Sequence, residues 1–452
     1  MNGRKSKKKI IDIPLRLERF ADNPILKPNP DNWWESKAVF NPAALYEAGK
    51  VHILYRTISE TDVSYLGYAS SVDGVHIDER LSKPAYVPRE PFEGVQPAYN
   101  IGGGTSGLYV SGGGGMGGCE DPRLTRIDDR VYMTYVAYDG RNPPRVALTS
   151  IDFKDFLDRK WNWKKPVLIS PPHIVDKNAC ILPEKINGKY VIFHRVYPNI
   201  LIDFVDDLDF DGKTKWLAGQ HEIPVRALSS DWDSRKVGCG PPPLKTKEGW
   251  LLIYHAVGCR GDYYYKIGAM LLDLKDPTKV LARSRKPILE PVAPYENEGW
   301  KAGIAYPCGA AKIKDRLFVY YGGADTVVCV ASVKLNGFLE QLMTNHKESA
   351  MPEEIEPPST ELEETAELVQ GFCLKCRKKM GMKSLRQVIL KNNRHAIEGV
   401  CVRCGTRIIK FIKAAPDVKK KRKILKNKTN KTKQTKKQPK LNTPGRKKKG
   451  FK

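Results

Sequence analysis

The sequence predicts an all-β protein: a five-bladed β-propeller, followed by a small zinc ribbon and a disordered basic tail. Three observations support this fold class. A two-strand unit recurs five times, roughly 60–80 residues apart, between Phe40 and Tyr321. Turns of the hairpin type, such as Asn187-Gly188, separate the two strands of a unit. No long amphipathic helix is evident before Asn336.

Each unit has a turn with proline or a polar residue, a strand, a charged or glycine turn, and a second apolar strand. The strand pairs are predicted at 40–46 and 51–56, 120–124 and 131–135, 178–183 and 190–195, 240–244 and 250–255, and 306–313 and 317–321. A third apolar run follows most pairs. The same turn returning to the same place favours the radial closure of a propeller, and a β-sandwich is the alternative.

The net charge of +26 is concentrated at the two ends of the chain. Five basic residues lie within Met1–Lys9, and seventeen Lys or Arg with no acidic residue lie within Val418–Lys452. The net charge therefore indicates what the two ends of the chain could bind, and it says little about the chemistry of the residues between them. The predicted domains are a basic disordered N-terminus (1–9), a propeller catalytic domain (10–346), an acidic linker (347–370), a four-cysteine module (371–415) and a Lys-rich disordered tail (416–452).

The N-terminus has no apolar segment, and no apolar run approaches the length of a membrane span. We therefore expect no signal peptide, no membrane association and a cytoplasmic location, with most cysteines of the body as buried thiols. The sequence leaves open whether the chain forms a homo-oligomer.

Two CxxC pairs, Cys373 with Cys376 and Cys401 with Cys404, are separated by 24 residues. This spacing predicts a closed, structural zinc site in a module that resembles a zinc ribbon. His395 lies between the pairs, but a fifth ligand is not needed. A redox dithiol is disfavoured because no βαβ pattern surrounds the cysteines. The tail would add salt-dependent, sequence-independent binding to nucleic acid or another polyanion.

Polar residues at the turns leading into the inner strands are expected to meet at one mouth of the propeller channel. A glycine-rich stretch that ends in Gly117–Arg123 would deliver Asp121, a candidate acid, to the lip of a strand. The residues expected at this mouth include few carboxylates and many cations, which favours an anionic co-substrate such as phosphate. The expected residues are Asn41, Arg56, Asp121, Arg123, Arg145, Lys177, Asn178, His194, Arg195, Lys236, His255, Tyr306 and Asp325.

These motifs resemble glycoside hydrolase family 130, the β-mannoside phosphorylases, over about Asn23–Leu342. The matching segments are Asn41–Ala43, Gly118–Arg123, Pro183–Tyr190, His194-Arg195, Lys236–Pro242, Tyr254-His255 and Tyr321–Asp325. The resemblance implies a five-bladed propeller that carries out inverting phosphorolysis of a β-mannoside oligosaccharide to α-mannose 1-phosphate. Inorganic phosphate would be the co-substrate, with no cofactor for catalysis.

The resemblance also implies the roles of individual residues. Asp121 matches the general acid, whose proton reaches the glycosidic oxygen through a sugar hydroxyl while phosphate attacks from the opposite face. Glu120 is interpreted as a structural hydrogen-bond acceptor. The implied substrate-binding residues are Asn41, Arg56, Arg123, His255, Tyr306 and Asp325. The implied phosphate-binding residues are Arg145, Lys177, His194, Arg195 and Lys236.

Two alternatives remain at this stage. One is a β-mannoside hydrolase of the same fold, in which the phosphate-binding cations are replaced. The other is a polyanion- or nucleic-acid-binding protein with an inactive propeller. His194-Arg195 and Lys236 favour phosphorolysis. The sequence does not identify the linkage or the acceptor sugar, which could be glucose, mannose or N-acetylglucosamine.

Overall fold

The computed structural model describes residues 15–94, 115–350 and 370–411, apart from residues 229, 262, 374, 390–394 and 405. The predicted basic N-terminus, most of the acidic linker, the Lys-rich tail and most of the glycine-rich stretch lie outside the described residues. The chain divides into two compact units, Met1–Glu353 and Glu354–Lys452. Neither described helix is long and apolar enough to cross a membrane.

The first unit is a five-bladed β-propeller, as the sequence predicted. After β1 (Glu18–Arg19), the first blade contains β2 (Ala38–Glu47), β3 (Lys50–Ile58), β5 (Leu66–Ser71) and β6 (Glu79–Arg80), with β4 (Val63–Ser64) in the loop between β3 and β5. The second blade contains β7 (Gly117–Ile127), β8 (Arg130–Tyr138), β9 (Arg145–Asp152) and β10 (Val167–Leu168). The third contains β11 (Asp176–Ile181), β12 (Tyr190–Val196), β13 (Asn199–Val205) and β14 (His221–Ile223).

The last two blades follow the same plan. The fourth contains β15 (Lys236–Cys239), β16 (Leu244–Lys245), β17 (Trp250–Val257), β18 (Lys266–Leu272) and β19 (Val280–Arg283). The fifth contains β20 (Ala305–Ile313), β21 (Arg316–Gly323) and β22 (Val327–Lys334). Prolines 241–243 separate β15 from β16, so the inner strand of the fourth blade is interrupted; proline supplies no N–H for a strand ladder.

Two pairings join the blades into a ring. The N-terminal strand β1 pairs with β22 and becomes the outer strand of the fifth blade, with Arg19 opposite Ala331. Strand β4 of the first blade pairs in parallel with β7 of the second, with Ser64 opposite Gly118. The chain therefore closes the propeller by bringing its first strand to its last blade.

The core lies between the blades rather than at the axis. The five largest clusters of buried residues in the described chain each join two neighbouring blades. Middle strands are consequently buried on both faces, as in Trp250–Val257, where every residue is buried. This explains why these strands read as near-continuous apolar runs in the sequence.

In each blade, an aromatic side chain of the middle strand forms a hydrogen bond with a buried Asp or Glu. In blade order these side chains are Tyr55, Tyr135, His194, Tyr254 and Tyr321. In every blade the next residue along the strand pairs with the inner strand near the channel mouth. Because side chains alternate across a strand, the aromatic residue and the residue after it face opposite sides. His194 thus occupies the position that tyrosine holds in the other four blades.

Two α-helices of the described residues lie outside the blades. Helix α1 (Phe153–Leu157) follows β9 and is capped by Asp152, whose side chain accepts a hydrogen bond from the N–H of Lys154. Helix α2 (Leu335–Ala350) follows β22 and buries Phe338 and Leu342 in the core between the fourth and fifth blades. It extends beyond residue 346, at which the sequence analysis ended the propeller domain.

The second unit contains one four-stranded antiparallel sheet in its described part. Its strands are β23 (Gln370–Cys373), β24 (Lys378–Ile389), β25 (His395–Cys401) and β26 (Arg407–Phe411). Cys373 and Cys401 end β23 and β25, and Cys376 and Cys404 follow in the adjoining turns. The two CxxC pairs are therefore two turns of one small sheet.

Candidate active site

One-residue bulges in the inner strands build the site. The pairing register shifts by one residue between Phe40 and Ala43, between Glu120 and Arg123, between Lys177 and Cys180, and between Pro307 and Gly309. Asn41, Asp121 and Asn178 lie in these bulges with φ values of 48°, 49° and 60°. Asn and Asp are the non-glycine residues that best tolerate this region, and a bulge redirects a side chain. Three blades thus present a polar side chain in the same way.

Asp121 lies at the centre of a buried polar cluster. Its Oδ1 accepts hydrogen bonds from Nδ2 of Asn41 at 2.8 Å and from Nη1 of Arg56 at 3.3 Å. The guanidinium of Arg56 also pairs with Glu120 at 3.3 Å, and Lys177 pairs with Glu120 at 3.4 Å. Arg56 and Glu120 are almost completely buried, and Glu120 is paired with two cations; its structural role stays a prediction.

Two glycines allow this cluster to close. A Cβ on Gly118, where φ is 106°, would lie 2.3 Å from the carbonyl oxygen of Ser64. A Cβ on Gly322 would lie 2.1 Å from Oδ1 of Asn41. Both positions therefore require glycine, which explains the glycines that precede Asp121 and Asp325 in the sequence.

Asp121 and Asp325 have opposite pKa shifts. Burial would raise the pKa of Asp121, but Arg56, Arg123 and the hydrogen bond from Asn41 together hold it below its usual value. Burial raises the pKa of Asp325 to about 6, despite the nearby Arg56. Neighbouring carboxyl groups with separated pKa values are a common arrangement for acid–base chemistry.

A second group of residues at the mouth is cationic. Lys177, Arg195 and Lys236 lie within one residue of strand ends in the third and fourth blades. Nε of Arg195 donates to Oδ1 of Asn178 at 2.8 Å, and the ammonium of Lys236 donates to the hydroxyl of Tyr265. Burial, followed by the charges of Arg195 and other cations, lowers the pKa of Lys236 to about 7. Such a depressed pKa marks a cation whose neighbours are also positive, as in an anion-binding site.

The wall between the two groups is aromatic and contains unpaired polar atoms. The ring of His255 lies 4.3 Å from that of Tyr306, whose hydroxyl accepts a hydrogen bond from Asn178. Burial and the nearby cations lower the pKa of His255 well below its usual value, so the ring is neutral. Within the described chain, Nδ1 of His255 and Oδ1 of Asn41 are buried without a hydrogen-bond partner.

Three of the predicted residues have other partners. The guanidinium of Arg123 donates to the carbonyls of Asp121, Cys239 and Gly240 and so ties the second blade to the fourth. His194 bonds to Asp176 at 2.7 Å and to Asp203 at 2.9 Å, which occupies both of its ring nitrogens.

Arg145 contacts residues other than those of the Lys236 group. Its Nε donates to the carbonyl of Ser170 at 3.0 Å, and its guanidinium lies 4.7 Å from the ring centre of Trp216. It lines a separate cleft of about 180 Å³ with Phe92 and His173.

The structure adds two residues that the sequence analysis did not select. Tyr265 begins the segment leading into β18 and contacts Lys236. Lys301 precedes the inner strand β20, and its Nζ lies 5.3 Å from the ring centre of Tyr265. Lys301 lies at a turn leading into an inner strand, so the rule that selected the other residues applies to it as well.

The four cysteines of the second unit converge on one point. Their Sγ atoms all lie within 4.8 Å of one another, with 3.5 Å between Cys373 and Cys404 and 3.9 Å between Cys376 and Cys401. A disulfide would need about 2.05 Å. A tetrahedral ZnS₄ centre with Zn–S bonds of about 2.3 Å has sulfur–sulfur edges of about 3.8 Å. The geometry of the thiols fits a tetrahedral metal ion.

The propeller, the buried carboxylates and the adjoining cation group define an enzyme that uses an anionic co-substrate. The chain belongs to glycoside hydrolase family 130: the family model described as β-1,4-mannooligosaccharide phosphorylase matches residues 4–344. It is a glycoside phosphorylase that acts on β-mannosides. Residues 372–411 match a domain of unknown function, DUF5679.

Individual relatives agree with this assignment. The chain is 39% identical over 331 residues to a 1,2-β-oligomannan phosphorylase of Thermoanaerobacter sp. (strain X514), covering 71% of this chain and 98% of the relative. It is 38% identical over 333 residues to a β-1,2-mannobiose phosphorylase of the same strain, covering 71% and 98%. The fold matches the β-1,2-mannobiose phosphorylase of Listeria innocua in complex with β-1,2-mannobiose, with a TM-score of 0.56 and 26% identity over 73% of this chain and 99% of that chain.

Proposed function

We propose that this enzyme phosphorolyses β-1,2-linked mannosides, with Asp121 as the general acid and the Lys236 group as the phosphate site. The observation that carries the proposal is the cation group of Lys177, Arg195 and Lys236 next to the buried Asp121. The β-1,2 linkage is supported by the names of the two relatives and of the solved structure, although the family model is described for β-1,4 linkages.

Phosphate would enter the cation group and attack the anomeric carbon of the mannosyl unit from the α face. The C1–O bond breaks as the new C1–O–P bond forms, and the leaving oxygen takes a proton that originates on Asp121, relayed through a sugar hydroxyl. The sugar phosphate then loses a proton, which restores Asp121. Because phosphate is already anionic, no base is required; an inverting hydrolase needs a second carboxylate to activate water.

The low pKa of Asp121 is compatible with this role once phosphate is bound. Arg56 and Arg123 hold the pKa down in the free protein. A bound dianion would offset part of that positive field and raise the pKa, because like charges disfavour ionisation. The enzyme would thereby become a competent acid only when its nucleophile is in place.

The remaining residues would hold the mannosyl unit. Arg56 and Asp325 border Asp121, and the unpaired atoms of Asn41 and His255 can bond to sugar hydroxyls. Tyr306 supplies an aromatic wall. Arg123 would act as a positioning residue through its three carbonyl contacts. We leave His194 out of the phosphate site because both of its nitrogens have carboxylate partners, and Arg145 because it lines a separate cleft.

Turnover with and without phosphate tests the function. The purified enzyme is incubated with β-1,2-mannobiose and with β-1,4-mannobiose, and mannose 1-phosphate and mannose are measured separately. We expect phosphate-dependent mannose 1-phosphate from the β-1,2 substrate. Release of mannose at the same rate without phosphate would instead establish the hydrolase.

We further propose that the four cysteines bind one structural zinc ion. All four ligands are thiols, so no open position is left for catalysis. Metal analysis should give about one zinc per chain, and Cys401→Ser should lose it. Phosphorolysis should be unaffected by this substitution, because all proposed active-site residues lie in the propeller. A metal-free wild type would contradict the proposal.

A further inference from the structure

Lys301 stands at the boundary between the proposed mannosyl and phosphate positions. It belongs to the segment that leads into β20, and its backbone N–H donates to the carbonyl of Ala324 at 3.1 Å, next to Asp325. Its side chain extends towards the fourth blade, where Nζ lies 5.3 Å from the ring centre of Tyr265. The backbone anchor and the side chain thus contact different blades.

The same ring is shared by a second ammonium group. Nζ of Lys236 lies 4.2 Å from the ring centre of Tyr265 and donates to its hydroxyl. Within the described residues, neither Lys236 nor Lys301 forms an ion pair with a carboxylate. Both ammonium groups therefore contact an aromatic ring rather than a carboxylate. Two such groups at one ring can together bind an anion through charge-assisted hydrogen bonds.

The positive charge of Lys301 affects residues at both the proposed phosphate position and the proposed mannosyl position. Its charge contributes to the lowered pKa of Lys236, after burial and Arg195, and it opposes the raised pKa of Asp325. Arg235 also lies near Lys236, but its guanidinium stacks over the exposed Tyr263 at 4.6 Å. Lys301 is thus among the largest charge contributions to the pKa shifts of both Lys236 and Asp325.

We propose that Lys301 is a further phosphate-contacting residue, which closes the outer side of the phosphate site above Tyr265. This inference rests on the proposed function. Because Lys301 is exposed whereas Lys236 is half-buried, Lys301 meets an incoming phosphate first and also contacts the phosphate group of mannose 1-phosphate. Its contribution falls on the binding of phosphate rather than on breaking the glycosidic bond.

The test compares Lys301→Met with wild type in two measurements. Isothermal titration with inorganic phosphate gives the Kd, and phosphorolysis of β-1,2-mannobiose gives KM and kcat. We expect Kd and KM for phosphate to rise at least about tenfold, since a charge-assisted hydrogen bond to phosphate is lost. The kcat and the KM for mannobiose should stay within about twofold. Lys301→Arg should restore most of the phosphate affinity.

Lys312→Met is the matched control. Lys312 is an exposed lysine of β20, the strand that Lys301 precedes, and lies opposite Leu317 at the end away from the site. Phosphate affinity unchanged in Lys301→Met would overturn the proposal. An equal loss in Lys301→Met and Lys312→Met would also overturn it, because the effect would then be one of net charge. Failure of the proposed function is separable: the wild type would then release mannose without phosphate.

Discussion

The sequence predicted that His194 binds phosphate, whereas its contacts with Asp176 and Asp203 indicate a structural role. The substitution His194→Leu tests between these two roles. The substitution removes both hydrogen bonds and leaves Asp176 and Asp203 buried without a counter-charge. Asp176 is fully buried and Asp203 is 1% exposed. Breaking a buried ion pair by removing one partner costs about 3–5 kcal/mol. We therefore expect a large fall in the free energy of unfolding.

The pKa of His194 gives a second route to the magnitude. Burial opposes its charge, but Asp176 and Asp203 outweigh burial and raise the pKa from 6.5 to about 9. A rise of this size corresponds to about 3 kcal/mol, at about 1.4 kcal/mol per pKa unit. Because the folded pKa is the higher one, this stabilisation is fully present below about pH 6.5 and is lost as the pH rises through about 9. The two routes agree in magnitude.

Denaturant unfolding of both proteins near pH 6 and near pH 10 provides the assay, together with the KM for phosphate. The difference in unfolding free energy should be about 3 kcal/mol near pH 6 and should shrink near pH 10. The KM for phosphate should not change. Tyr254→Phe is the control: Asp233 loses one hydroxyl donor but keeps Arg226 and Arg283, so the loss should be about 1 kcal/mol.

One combination of results would contradict the structural role of His194. Unchanged stability of His194→Leu together with a raised KM for phosphate would show that the histidine contacts the anion. If His194→Leu does not fold, His194→Tyr introduces the residue found in the other four blades. It retains one donor, and its stability should fall between those of the two proteins.

Two further predictions concern the chemistry. Asp121→Asn should lower phosphorolysis of mannobiose by about 10²–10⁴-fold while retaining activity on an aryl β-mannoside whose leaving group needs no proton; equal losses on both substrates would contradict the role of the acid. Lys236→Met should raise the KM for phosphate. Because burial and neighbouring cations lower the pKa of Lys236 to about 7, the phosphate affinity of the wild type should also fall as the pH rises above about 7, and this fall should be smaller in the variant.

The sequence predicted the five blades because the signals for hairpins are local. Asn187 and Gly188, for example, both adopt positive φ between β11 and β12, as an Asn-Gly turn requires. The pairing of Cys373 and Cys376 with Cys401 and Cys404 was likewise readable from spacing. The position of polar residues at the entry of each inner strand indicated a common site, and Asn41, Arg56 and Asp121 do meet there.

The sequence did not predict which side chains face that site, because neighbouring residues of a strand point to opposite sides. His194 and Arg195 are adjacent, yet His194 bonds to two buried carboxylates while Arg195 reaches Asn178. A one-residue bulge reverses the alternation, and no short pattern marks where the register shifts.

Contacts between distant segments could not be predicted from the sequence either. Arg123 looks like part of the acid motif, but its partners Cys239 and Gly240 belong to the fourth blade, more than 100 residues along the chain. The pairing of β1 with β22 joins the beginning of the propeller chain to its last blade, and the contact of Lys301 with Tyr265 joins residues from different blades. The repeat therefore determined which turns surround the channel. The tertiary structure alone decided which side chains line it, because register and blade packing set the direction of each one.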